Sequence, residues 1–109
     1  MSWEVRYLPE ALDDLQALDG SQRILVKKAI EKVRTNPLLD TEGGYGKQLG
    51  NRDNMQLAGF LKVKLRGAGL RIVYQLIREE DHMVLIVIGA RKDNEVYQIA
   101  HKRIQDHNL

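Results

Sequence analysis

The sequence predicts an α+β domain: a small, mostly antiparallel sheet with elements in the order β-α-α-β-β-β-α and an N-terminal helix pair packed on one sheet face. Three observations carry that expectation. Alternating residues open the chain, two stretches with apolar residues at helical spacing follow, and the second half holds strand-turn-strand patterns closed by one more helical stretch. At 109 residues the chain fits a single domain, 1–109, that can bury a core large enough to fold without staples.

Between Ser2 and Leu8, Trp3, Val5 and Tyr7 alternate with Glu4 and Arg6, the period of a half-buried strand. Pro9 then begins a short helix with Leu8, Leu12, Leu15 and Leu18 as apolar positions, and Gly20 is placed to close it in a left-handed conformation. Ser21 is placed to cap a second helix, in which Leu25, Val26, Ala29, Ile30 and Val33 form the apolar stripe and Asn36-Pro37 the stop. Lys27, Lys28, Lys32 and Arg34 fall mostly on its other side and read as a solvated face. Residues 36–59 hold five glycines and few periodic apolar residues, which predicts a long surface connection, either a rim of the site or an insertion without a role. Lys47 and Arg52 are the residues in it that can reach a phosphate.

Lys62, Lys64 and Arg66 alternate with Leu61, Val63 and Leu65, so on a strand the cations share one face and the aliphatics the other. One face is core and the other a positive platform. Gly67-Ala68-Gly69 permits a tight reversal, Leu70 to Ile77 returns as the second strand of a hairpin, and Glu79-Glu80-Asp81 makes the next turn. His82 to Ile88 is almost continuously aliphatic, as in an interior strand covered on both faces. Asp93 or Asn94 can cap a final helix with Val96, Ile99, Ala100, Arg103 and Ile104 on one side and Tyr97 in its first turns.

The chain has no cysteine, which excludes disulfides and thiolate metal sites, and His82, His101 and His107 lack metal-ligand spacing; no metal or other cofactor is expected. No segment approaches the ~20 apolar residues that span a bilayer, and the N-terminus lacks the apolar core of a signal peptide, so a cytoplasmic protein without a membrane partner is expected. The formal charge of +2 is unevenly spread. Residues 60–92 hold seven basic and three acidic groups, net +4, against ten basic and twelve acidic elsewhere, net −2. That polarity points to an anionic partner.

Adjacent cations on one strand face repel by a few tenths of a kcal/mol per pair, which a nucleic-acid phosphate would offset. The bland reading is that edge-strand lysines deter aggregation. Arg71, Arg91 and Tyr97 strengthen the phosphate reading, because all three emerge where hairpin and strand ends can converge on one surface. Such a group can stabilise the charge of a pentavalent phosphorane, with the arginines as charge stabilisers. A lysine or Tyr97 can take the proton of a ribose 2′-hydroxyl, and the Tyr97 ring can stack on a base or simply anchor its helix; residue types leave these roles open. Tyr74, beside Leu70 and Ile72, reads as core.

The run Leu61-Lys-Val-Lys-Leu-Arg-Gly-Ala-Gly-Leu-Arg-Ile-Val-Tyr-Gln75, followed by Val87-Ile-Gly-Ala-Arg91 and Asn94-Glu-Val-Tyr97, resembles the RelE toxins of the RelE/ParE superfamily, over about half the chain. The resemblance implies a microbial-ribonuclease-like fold and a type II toxin: a metal-independent, ribosome-dependent endoribonuclease that cuts mRNA in the A site by 2′-hydroxyl attack. A cognate antitoxin, the ribosome and mRNA are the implied partners. Carried over residue by residue, Lys62 and Lys64 match strand lysines at the substrate, one of which can act as base. Arg71 and Arg91 match the phosphate-stabilising arginines, Arg91 also as acid, and Tyr97 matches the stacking or base tyrosine. Arg66 and Lys92 extend the RNA-binding surface. Where relatives carry an arginine after a leucine, this chain reads Leu49-Gly50-Asn51, and Arg52 is the nearest substitute. The alternatives are a ParE-type inhibitor of DNA gyrase without nuclease activity and an inactive relative that only binds antitoxin.

Overall fold

The opening alternation forms β1, Glu4–Tyr7, with Val5 and Tyr7 half-buried and Glu4 and Arg6 exposed. The computed structural model describes residues 3–49, 57, 59–90 and 95–109. Pro9 stands in the first turn of α1, Pro9–Ala17, where its missing N–H costs nothing. The helix ends at Leu18 in extended backbone, so Gly20 does not close it in a left-handed conformation and instead begins α2, Gly20–Val33. Nor is Ser21 the cap. Asp19 accepts from the Gln22 backbone N–H at 2.8 Å, and the Ser21 hydroxyl donates to the same carboxylate. A carboxylate at the positive end of a helix is the better acceptor of the two neighbours, and these bonds hold Asp19 below the usual carboxylate range. The buried stripes are narrower than the sequence suggests: Ala11 and Leu15 in α1, Val26, Ile30 and Val33 in α2, with Leu12 and Leu25 left exposed.

The predicted connection contains more structure than expected. Asp40–Glu42 makes a 3-10 turn, β2 is Lys47–Gln48, and Pro37, Leu49 and Leu57 are buried. The hairpin is β3, Phe60–Leu65, and β4, Leu70–Ile77, joined by a turn in which Gly69 takes φ +66. β5, His82–Ala90, follows the polar turn at 78–81. The five strands form one sheet in the order β1-β5-β4-β3-β2, with β1 parallel to β5 and the other pairs antiparallel. β5 is therefore interior, as its aliphatic run requires. The last helix, α3, is Glu95–Asp106; the expected caps Asp93 and Asn94 lie outside the described residues.

Register assigns the faces, since paired residues project to the same side. Leu61, Val63, Leu70, Ile72 and Tyr74 share one side, where Tyr74 is buried and donates to Pro37 O at 2.5 Å. Burial pushes the Tyr74 hydroxyl pKa well up, fitting a core residue. Val5 and Tyr7 on this side meet Ile30 of α2 and Arg34 at its C-terminal cap across a shallow groove. The other side is not purely a platform. Val73 and Val87 stand on it among the cations and are buried, together with Val96, Tyr97, Ala100 and Ile104 of α3. Among the described residues no helix is long and apolar enough to cross a membrane.

Candidate active site

β2, β3 and β4 bring the cations together. Lys47 pairs with Lys62 and Lys64 with Arg71, so all four project to one side of the sheet. Arg66 begins the hairpin turn, exposed at the end of the same strand. Tyr45, Lys47, Lys62, Val63, Lys64 and Arg66 line one groove of about 170 Å3.

Tyr97 lies beneath this surface. The Lys62 ammonium donates to the Tyr97 hydroxyl oxygen at 3.2 Å and the Arg71 guanidinium donates to the same atom. Both cations also sit against the ring, at 5.4 Å and 5.3 Å from its centroid. The side chain is fully buried, more deeply than a helix anchor at the sheet margin need be, so in this conformation the phenol orients two cations and its ring is not offered for stacking. Gly89 belongs to this arrangement: a Cβ there would press on Val96 at 3.2 Å, so its small size lets the first turn of α3 approach β5.

Arg71 retains unused capacity. Its Nε is buried and has no hydrogen-bond partner among the described residues, and none of their ion pairs uses Lys62 or Arg71. A buried donor costs about 1–3 kcal/mol while unmatched, so an acceptor entering here regains that energy. Tetrahedral phosphate oxygens suit a planar guanidinium together with an ammonium.

Of the residues expected at the site, Lys62, Lys64, Arg66, Arg71 and Tyr97 come together, whereas Arg91, Lys92 and Arg52 lie outside the described residues. Arg78, counted in the basic stretch, leaves it: its guanidinium pairs with both oxygens of Glu42, at 2.5 and 3.0 Å, and lowers that carboxyl's pKa. Lys47, read from the sequence as able to reach a phosphate, joins the site, and Tyr45, which was given no role, lines the same groove. Strand pairing across 15 positions is what brings Lys47 in.

The far half of α3 is fastened to α1. Arg103 donates to Asp14 at 2.6 and 3.1 Å and to Ile86 O at 2.9 Å, while Asp14 also accepts from Ile88 N at 3.0 Å. β1 ends opposite Leu85, so this pair satisfies the strand edge that β1 leaves open. One helical turn further, His107 Nε2 lies 2.9 Å from Glu10.

No family model matches the chain. It is 32% identical over 104 residues, 95% of its length and 99% of the relative's, to the mRNA interferase toxin RelE of Escherichia coli K12. It superposes on a free-state arginine-to-alanine variant of Escherichia coli toxin RelE with a TM-score of 0.73 and 29% identity, covering 95% of this chain and 99% of that one. On a chain of the intact Escherichia coli RelBE toxin-antitoxin complex the TM-score is 0.66 at 25% identity, covering 84% and 100%. The class is thus that of the compact α+β toxins with a cation-lined sheet. The chain belongs to the RelE toxin family.

Proposed function

We propose that this chain is the toxin of a type II toxin-antitoxin system and an endoribonuclease that cuts mRNA, with a cognate antitoxin as its restraining partner. Its relatives support this: one is named an mRNA interferase toxin, and another was solved in an intact toxin-antitoxin complex. The observation that carries the reading is the convergence of Lys62 and Arg71 on one phenol oxygen with an Arg71 donor left over.

The proposed reaction takes place on ribosome-bound message in the A site and draws its charge stabilisation from side chains. A ribose 2′-hydroxyl loses its proton to a general base, the unprotonated form of Lys62, Lys64 or Tyr97, and its oxygen bonds to the adjacent phosphorus. The bond to the 5′-oxygen breaks, leaving a cyclic phosphate and a 5′-oxygen that takes up a proton, with Arg91 the candidate donor. Arg71 stabilises the added negative charge of the pentavalent phosphorane. Lys64, Arg66, Lys92 and Arg52 hold flanking phosphates, and Tyr97 keeps Lys62 and Arg71 aimed at the reacting group.

Mapping of mRNA ends on programmed ribosomes tests this. The full chain is expected to cut message in the A site and to leave the same RNA intact when free. Uncut message on active ribosomes, combined with inhibited DNA supercoiling by gyrase, would overturn the proposal.

A further inference from the structure

Among the described residues, Tyr45 is the one aromatic side chain in the exposed hydrophobic set, with 46% of its surface open, and it stands on the rim of the cationic groove. Its placement is built. Gly44 cannot carry a side chain, because a Cβ would overlap the Leu38 carbonyl, and at Gly46 a Cβ would overlap the Tyr74 hydroxyl and Leu61. Tyr45 N–H donates to Asn36 O at 3.1 Å and Gly46 N–H to Leu38 O at 3.1 Å, so the backbone on both sides of the ring is pinned to the core. The Arg78–Glu42 pair ties the preceding turn to the one that follows β4.

The surroundings of the ring are cationic. Lys32 of α2 lies 5.1 Å from its centroid, and Lys47, Lys62 and Lys64 line the groove beside it. A rigidly held, open tyrosine alone would suit many partners. Joined to a row of ammonium groups, it suits a chain that alternates anions with flat rings, and single-stranded RNA has that chemistry: phosphates for the lysines, a base for the ring. An acidic peptide satisfies the lysines and leaves the ring without a counterpart.

We infer that Tyr45, with Lys32 and Lys47, forms a base-stacking subsite for single-stranded RNA beside the cleavage site. The inference rests on the RNA-cleaving reading of the neighbouring cations. The stacked base belongs either to the message flanking the cut or to an unpaired nucleotide of ribosomal RNA, and the chemistry is the same for both.

Binding of a labelled eight-nucleotide single-stranded RNA to the full chain at low salt tests it without requiring cleavage. Tyr45→Ala is expected to weaken binding about tenfold, in the range for loss of one stacked base, while Tyr45→Trp binds as tightly as the parent or more so. Equal affinity of Tyr45→Ala and parent overturns the subsite, and so does a Tyr45→Trp variant as weak as Tyr45→Ala. On programmed ribosomes the half-saturating toxin concentration for cleavage should rise similarly with Tyr45→Ala. A rise seen only when message extends past the A-site codon assigns the base to mRNA, and a rise with truncated message too assigns it to ribosomal RNA. A parent protein that binds RNA in this way but cuts no message sinks the cleavage reading and leaves the subsite standing. Cleavage with normal binding by Tyr45→Ala does the reverse.

Discussion

Two part-buried arginines, Arg71 and Arg103, sit at opposite ends of the contact between α3 and the sheet and are treated differently by their surroundings. Arg103 is matched by the protein itself: a carboxylate takes both terminal nitrogens and a strand carbonyl takes a further bond. Among the described residues, Arg71 donates to the Tyr97 hydroxyl, in the company of other cations, and its Nε is unmatched. Where the fold needs an arginine for its own integrity it supplies the anion; where it does not, the anion is left to come from outside. Within a single helix packing, Arg103 is a charge the fold itself neutralises, and Arg71 is the one that the proposed function assigns to a phosphate.

Replacing each arginine should therefore break different properties. Arg71→Ala is expected to lower the single-turnover rate of mRNA cleavage on ribosomes by roughly 10²–10³-fold, the scale for losing one preorganised charge stabiliser, while thermal stability holds or rises. Tyr97→Phe, which keeps the ring but removes the oxygen that orients Lys62 and Arg71, should cost less, about tenfold. A parallel fall of stability and activity in Arg71→Ala would erase the distinction.

At the other end the effect should be on folding. Asp14→Ala strands the Arg103 charge and Ile88 N, Arg103→Ala strands the Asp14 charge and Ile86 O, and each is expected to destabilise by about 2–3 kcal/mol, below the range for fully buried pairs because some solvent reaches this one. Urea unfolding reads it directly. The double variant should cost clearly less than the sum of the single variants, since the second change removes a charge the first has already orphaned. Additive losses would mean that the two residues act separately.

How much of this was legible in the sequence depends on the range of the signal. The alternation of Lys62, Lys64 and Arg66 with aliphatics is local, and it gave the strand, its faces and the core of the candidate site. β2 was not legible, because two residues cannot display a period of two; Lys47 and Gln48 become a strand only because β3 offers an edge. Asp19 and Ser21 are both good caps, and only hydrogen-bond geometry decides between them. The Arg78–Glu42 pair spans 36 positions, and the burial of Tyr97 depends on how α3 lands on β3 and β4. These are tertiary outcomes that residue type leaves undecided.

The smallest effect probes the last rung of the α1–α3 fastening. Glu10 and Asp14 are one turn apart on α1, and His107, just past the end of α3, is one turn beyond Arg103, so the two contacts form successive rungs between antiparallel helices. The hydrogen bond from His107 holds the Glu10 carboxyl below its ordinary value of 4.5. A carboxyl lowered on folding adds stability that is present above its unfolded pKa and is lost as pH falls through the lower folded value. The melting temperature of the parent protein should thus exceed that of His107→Ala at pH 6, and the gap should close as the pH drops below the ordinary carboxylate range. Glu4, Asp19 and Glu42 are lowered by other partners and titrate in both proteins, so the difference between the two curves isolates the Glu10–His107 contact. A gap that is absent at pH 6, or that stays constant down to pH 3, would leave Arg103 and Asp14 as the effective rung between α1 and α3.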